Sequence, residues 1–185
     1  MPFQGMRFLV LLAVALTAVQ TSAAAPVEAP TKLERRAMLE AEIVHELNQI
    51  RASKGVRALR AAPSLRSAAR AHSKAMLELG FFGHDSADGT AFSDRIRRYY
   101  SNRGWEKWSV GEALLASEGQ EIKAKAIVKA WLDSRPHREV ILSSAWRDAG
   151  IGAVYTPTAP AEYGGSEAMV VTADFGLRGG KAPRS

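Results

Sequence analysis

The chain contains no cysteine. Disulfide staples, thiolate metal ligands, a thiol nucleophile and a lipid carried on an N-terminal cysteine are therefore excluded. Histidine is scarce too, with four in 185 residues, so imidazole chemistry rests on His45, His72, His84 and His137 alone. Three catalytic signatures are also missing: a glycine-rich phosphate loop, a His-Glu-x-x-His zinc-protease helix and a Gly-x-Ser-x-Gly nucleophile turn. Nothing in the motif content supports a conventional hydrolase. Long hydrophobic runs are confined to Phe8–Val19, which is too short for a stable membrane span of roughly 20 apolar residues.

Arg7 before that run and the small residues Ser22 to Ala25 after it read as a secretory signal peptide over residues 1–23. Cleavage is expected after Ala23 or Ala24, with an uncleaved anchor as the alternative. The mature protein is then expected to be secreted or periplasmic, with no transmembrane segment in its mature form. Residues 24–34, rich in Ala and Pro, form a flexible lead-in; 35–178 form a single domain; 179–185 form a polar, disordered tail. About 160 residues suffice for a core without staples. The formal charge of +6 falls to +5 once Arg7 leaves, which draws the protein toward anionic partners without naming one.

Apolar residues at three- and four-residue steps predict a helix from Leu33 to about Ala52, carrying Leu39, Ile43, Leu47 and Ile50. A second helix starts at Pro63 and Ser64 and closes at Gly80. His72 lies on its apolar stripe and reads as a hydrogen-bonded core residue, whereas His45 reads as an ordinary position of the first helix. Phe81 to Gly89 is a structured loop, followed by a short helix over Phe92–Tyr99. A strand is expected around Trp108–Leu115, helices over Glu118–Asp133 and through Leu142, and two final strands over Ala149–Tyr155 and Ala168–Phe175. Early helices and late strands indicate an α+β fold.

Four segments, in this order, resemble the CAP superfamily, the cysteine-rich secretory protein, antigen 5 and pathogenesis-related 1 group with its SCP domain, in a bacterial stand-alone form without cysteines. They are Leu47-Asn48-Gln49-Ile50-Arg51; Ala69 to Ser73 running on to Phe81-Phe82-Gly83-His84; Val110-Gly111-Glu112; and Ala130-Trp131-Leu132-Asp133-Ser134-Arg135-Pro136-His137-Arg138. Gly150-Ile151-Gly152 and Thr172 to Gly176 are similar to the family's closing strands. The resemblance implies a three-layer αβα sandwich with a central, mainly antiparallel sheet. It also implies a cleft where His84, Glu112 and His137 converge, of a kind whose two histidines can bind a divalent metal such as zinc. Ser134 stands where the family has a second glutamate, Ala113 replaces an asparagine, Asp85 a Ser or Thr, and Ala173 a Gln. The loss of the second carboxylate removes charge from the cleft.

Three functions follow as expectations. The leading one is a binding module whose cleft receives a small molecule, lipid or cell-envelope component, with or without a divalent metal. The second is a metal-assisted hydrolase, with His84 and His137 as metal ligands and Glu112 as the catalytic base. The third is an anionic-polymer binder using the alternating cations and aromatics of Asp94–Trp108. The competing account of that segment is a solvated helix face with its aromatics packed inward. Trp131 and Trp146 read as core.

Overall fold

The computed structural model describes residues 33–118 and 122–181. The expected signal peptide, most of the lead-in and the last four residues lie outside the described residues.

The first helix, α1 (Ala37–Ser53), buries Leu39, Ile43 and Leu47 on one face and ends before Gly55, whose φ of +67° suits a residue without Cβ. It begins later than the apolar spacing suggests. Glu34–Arg35 instead form a short strand, β1, antiparallel to β4 (Asp148–Thr156). A second two-residue strand, β2 (Arg60–Ala61), pairs with β4 in parallel. Two residues carry no readable period, so neither strand was visible in the sequence.

Pro63 opens α2 (Pro63–Leu79), and left-handed Gly80 closes it, both as expected. The short α3 covers Phe92–Arg97, two residues less than the expected helix, because Arg98–Tyr100 turn so that the Tyr100 hydroxyl donates to Asp148 Oδ2 at 2.7 Å. The strand expected around Trp108 is longer, β3 (Lys107–Glu118). The helix expected from Glu118 accordingly starts at Ala124, as α4 (Ala124–Asp133). Then come α5 (Arg135–Leu142), β4, a 3₁₀ turn at Ala161–Tyr163 and β5 (Ala168–Gly179). The ladder thus includes Gly179, the first residue of the expected tail.

The sheet runs β1-β4-β5-β3, with β2 on β4, and every pairing except β2–β4 is antiparallel. Successive strand residues face opposite ways. Ala113 and Leu115, Ala149, Ile151 and Ala153, and the odd-numbered residues Met169 to Phe175 pack with α1, α4 and α5. Leu114, Val154, Ala168 and Val170 pack with Met76 and Leu77 of α2 on the other face. The result is the three-layer αβα sandwich, with a central and mainly antiparallel sheet.

Two glycines set the spacing of α2 from the sheet. A Cβ on Gly150 would lie 2.0 Å from the Arg66 nitrogen, and one on Gly152 2.2 Å from the Arg70 nitrogen. Helix backbone therefore rests directly on strand backbone. Ser73 Oγ cements this contact through Gly152 O at 2.9 Å and Thr172 Oγ1 at 2.8 Å. On the opposite face Trp131 donates its indole N–H to Leu114 O at 2.9 Å, locking α4 onto β3.

Candidate functional site

Glu112 lies in the middle of β3, on the face that α2 and α3 cover. Its strand neighbours are apolar, and its side chain is 1% exposed. A carboxylate so placed is tolerable only if its charge is met, and both oxygens are engaged. His84 Nδ1 lies 2.8 Å from Oε1, and Arg95 Nη2 of α3 donates to Oε2. Arg95 also reaches His84 O at 3.3 Å, which ties the loop to the helix. Burial pushes the Glu112 carboxyl up, but the His84 bond and the Arg95 charge outweigh it, and the group sits below its ordinary value.

His84 comes from the loop after α2. That loop is shaped by Ser86 and Gly89 backbone bonds, and its exit is held by Asp85 Oδ1, which accepts the Phe92 N–H at 3.1 Å. Because Glu112 can only accept, Nδ1 is the protonated nitrogen, and a neutral ring keeps its lone pair on Nε2. The side chain is 53% exposed, so Nε2 is the polar atom left for an outside molecule. The Glu112 bond raises the His84 imidazole above its ordinary value, more than burial lowers it.

His137 sits half-buried in the first turn of α5, which packs beside the edge strand β3. Burial lowers its imidazole, and the charge on His84 lowers it further, so the two rings share an electrostatic neighbourhood. The structure therefore brings His84 and Glu112 into direct contact and places His137 within electrostatic reach of His84. Pro136 starts α5, and Arg51 holds its far end. That guanidinium, fully buried, donates to Ile141 O and, at 3.0 Å, to Ser143 O.

His72 is a core residue, as its place on the apolar stripe indicated. It is buried, its Nε2 lies 2.9 Å from Gly83 O, and burial lowers its imidazole. His45 is exposed on α1 beside Gln49. Two residues of the site were not singled out from sequence. Arg95 was counted among the cations of a basic segment, and Asp174, fully buried on β5 opposite Glu112, was noted only as part of a strand motif. The available signal for Asp174 was a lone acid in the run Ala168–Phe175. In the basic segment Arg95, Ile96 and Tyr100 are buried, whereas Arg97, Arg98, Tyr99, Arg103 and Lys107 are exposed. Tyr100 is buried under the Arg178 guanidinium at 3.6 Å, and Arg97 lies 5.2 Å from the Trp108 ring centre.

Among the described residues, no group of three or more His, Asp or Glu side chains is disposed to hold an ion. Both Glu112 oxygens are occupied, and Ser134 is a poor ligand, so the donor set is two imidazoles where a structural zinc site uses four ligands.

The profile of the cysteine-rich secretory protein family, CAP, matches residues 44–172. No curated protein matches the chain. Among solved structures, an extracellular protein containing an SCP domain from Bacillus anthracis aligns at 24% identity with a TM-score of 0.59. That alignment covers 75% of this chain and 40% of the Bacillus protein, so the chain spans well under half of that relative. An outer surface protein from Borrelia burgdorferi aligns at 19% identity and a TM-score of 0.62, over 80% of this chain and 99% of that one. At these identities the likeness is one of fold.

Proposed function

The chain belongs to the cysteine-rich secretory protein family, and on that premise we propose that it is a secreted or periplasmic binding module whose His84–Glu112–His137 cleft receives a small polar ligand or the headgroup of a lipid or cell-envelope component. One observation carries this reading: Glu112 is spent on holding His84 through Nδ1, and the His84 side chain is half-exposed. The constellation is suited to offering a fixed imidazole. It is poorly suited to base catalysis, because a catalytic Glu112 would need a free oxygen facing the reacting atoms. The apolar leader supports export, and among the described residues no helix is long and apolar enough to cross a membrane. The descriptions of the two structural relatives as extracellular and outer-surface proteins agree with this placement.

A divalent metal belongs to the same proposal in a limited form. His84 Nε2 and His137 would hold it, with the remaining positions left to solvent or ligand. Glu112 would act on the ion through His84, a carboxylate–imidazole arrangement that fixes the ring and makes it a better donor. The metal would supply a Lewis-acid contact for an anionic ligand group.

The test is titration of the mature protein with zinc, with soluble peptidoglycan fragments and with phosphatidylglycerol vesicles, reading the His84 and His137 ring signals by NMR. At least one probe is expected to shift both rings saturably and to bind at least tenfold more weakly to His84→Ala. Elemental analysis of the purified protein, beside His84→Ala and His137→Ala, separates a resident ion from an acquired one. If none of the three probes moves either ring, the cleft is not the binding site.

A further inference from the structure

Asp174 is fully buried, and neither of its oxygens meets a hydrogen-bond donor. It stands opposite Glu112 in the β3–β5 ladder and on the same face, where directly paired side chains are near neighbours. On its other side β4 presents Gly150, which has no side chain. The groups around it are few. Glu112 approaches from β3 and Arg95 from α3; His72 of α2 and the loop residue His84 act on Glu112. The helices α1, α4 and α5 lie on the opposite face of the sheet.

Two carboxyls therefore share one guanidinium. Arg95 bonds Glu112 Oε2, and His84 bonds Oε1. These two charged bonds favour the ionised form of Glu112. A second anion at Asp174 would be buried without a hydrogen-bond donor and would have to share the one guanidinium already bonded to Glu112, and a carboxyl so placed takes up a proton instead. Once protonated it becomes a donor, and the acceptor beside it is Glu112, whose oxygens each keep a further lone pair. We propose that Asp174 is held as a neutral carboxylic acid that donates a hydrogen bond to Glu112, making it a positioning residue for the carboxylate that orients His84.

Burial raises the Asp174 carboxyl well above the ordinary range, and the charge of Glu112 beside it adds to the rise. The orphaned oxygens have the same explanation. Between two carboxylates no hydrogen is available, whereas a proton on Asp174 turns the contact into a bond. The purpose assigned to that bond rests on His84 being the ligand-facing ring, but the proton itself is tested without ligand.

Asp174→Asn keeps the shape and a donor while removing any charge. Infrared difference spectra of the two proteins at about pH 7 are expected to contain a carboxylic-acid C=O band in the wild type that is lost in Asp174→Asn. A group with a raised folded-state pKa contributes stability below its unfolded value, about 4, and loses it as pH rises through the folded value. Asp174→Asn should therefore melt at or above the wild-type temperature near pH 8, and this advantage should shrink as pH falls toward 5. Should the variant fail to fold, wild-type protein with ¹³C-labelled aspartate carboxyls decides, with one resonance expected to stay protonated where the exposed aspartates ionise. Ionisation of every aspartate below pH 6, or a wild-type spectrum without the acid band, overturns the proposal. Failure of zinc, envelope fragments and vesicles to bind would leave the acid band in place, so the two readings fail separately.

Discussion

A carboxylate inside an apolar sheet has to be explained by what surrounds it, and at Glu112 the surroundings are two imidazoles, one guanidinium and one carboxyl. Removing the charge tests each partner. Because the Glu112 bond raises His84, the imidazolium is favoured in the folded state. Its contribution to stability is complete below the unfolded value of about 6.5 and is lost as pH rises through the folded value. Denaturant titrations of the wild type should lose stability over that interval, and Glu112→Gln should flatten the slope while moving the His84 titration toward its ordinary value. Glu112→Ala goes further, leaving the buried Arg95 without its carboxylate at a cost of about 3–5 kcal/mol, measured at a pH where His84 is neutral. His84, Glu112 and His137 were singled out because each sits in a local motif. Arg95 and Asp174 were not, because their role depends on how α3 docks and on the pairing of β3 with β5, sixty residues apart in sequence. Local spacing carries neither.

Helices with a clear apolar stripe were readable to within a few residues, and so were strands long enough to alternate. The errors fell where tertiary contact overrides local preference. Glu34–Arg35 extends the spacing of α1 yet is drawn into the sheet, and Glu118 continues β3 instead of opening α4. The seat of α2 on β4 was half legible, since Gly150 and Gly152 stood out in the sequence but their purpose did not. They are small because backbone meets backbone there. Gly152→Ala should lift α2 from the sheet, cost at least about 3 kcal/mol in urea unfolding and loosen the His84 loop that follows the helix. Gly55→Ala, where a Cβ meets open space but φ is positive, should cost only about 1 kcal/mol. A smaller loss at Gly152 than at Gly55 would mean that the close approach is not what holds α2 in place.

For the molecule as a whole, the absence of cysteine places all cohesion in the two apolar layers and in a few buried polar ties between them. Glu40 of α1 is one such tie: it accepts a forked bond from Arg70 of α2 and the Ala153 N–H of β4, so both helices and the sheet meet at one carboxylate. The strand order adds a constraint of another kind. Among the described residues β5 is the last strand, yet it lies between β4 and β3 and pairs with both along their lengths. A chain ending before Ala168 should give no cooperative unfolding transition and should expose apolar surface to a dye such as ANS, although His84, Glu112 and His137 are all still present. In a growing polypeptide the sheet therefore stays open until its final strand has been made, because the keystone is laid last.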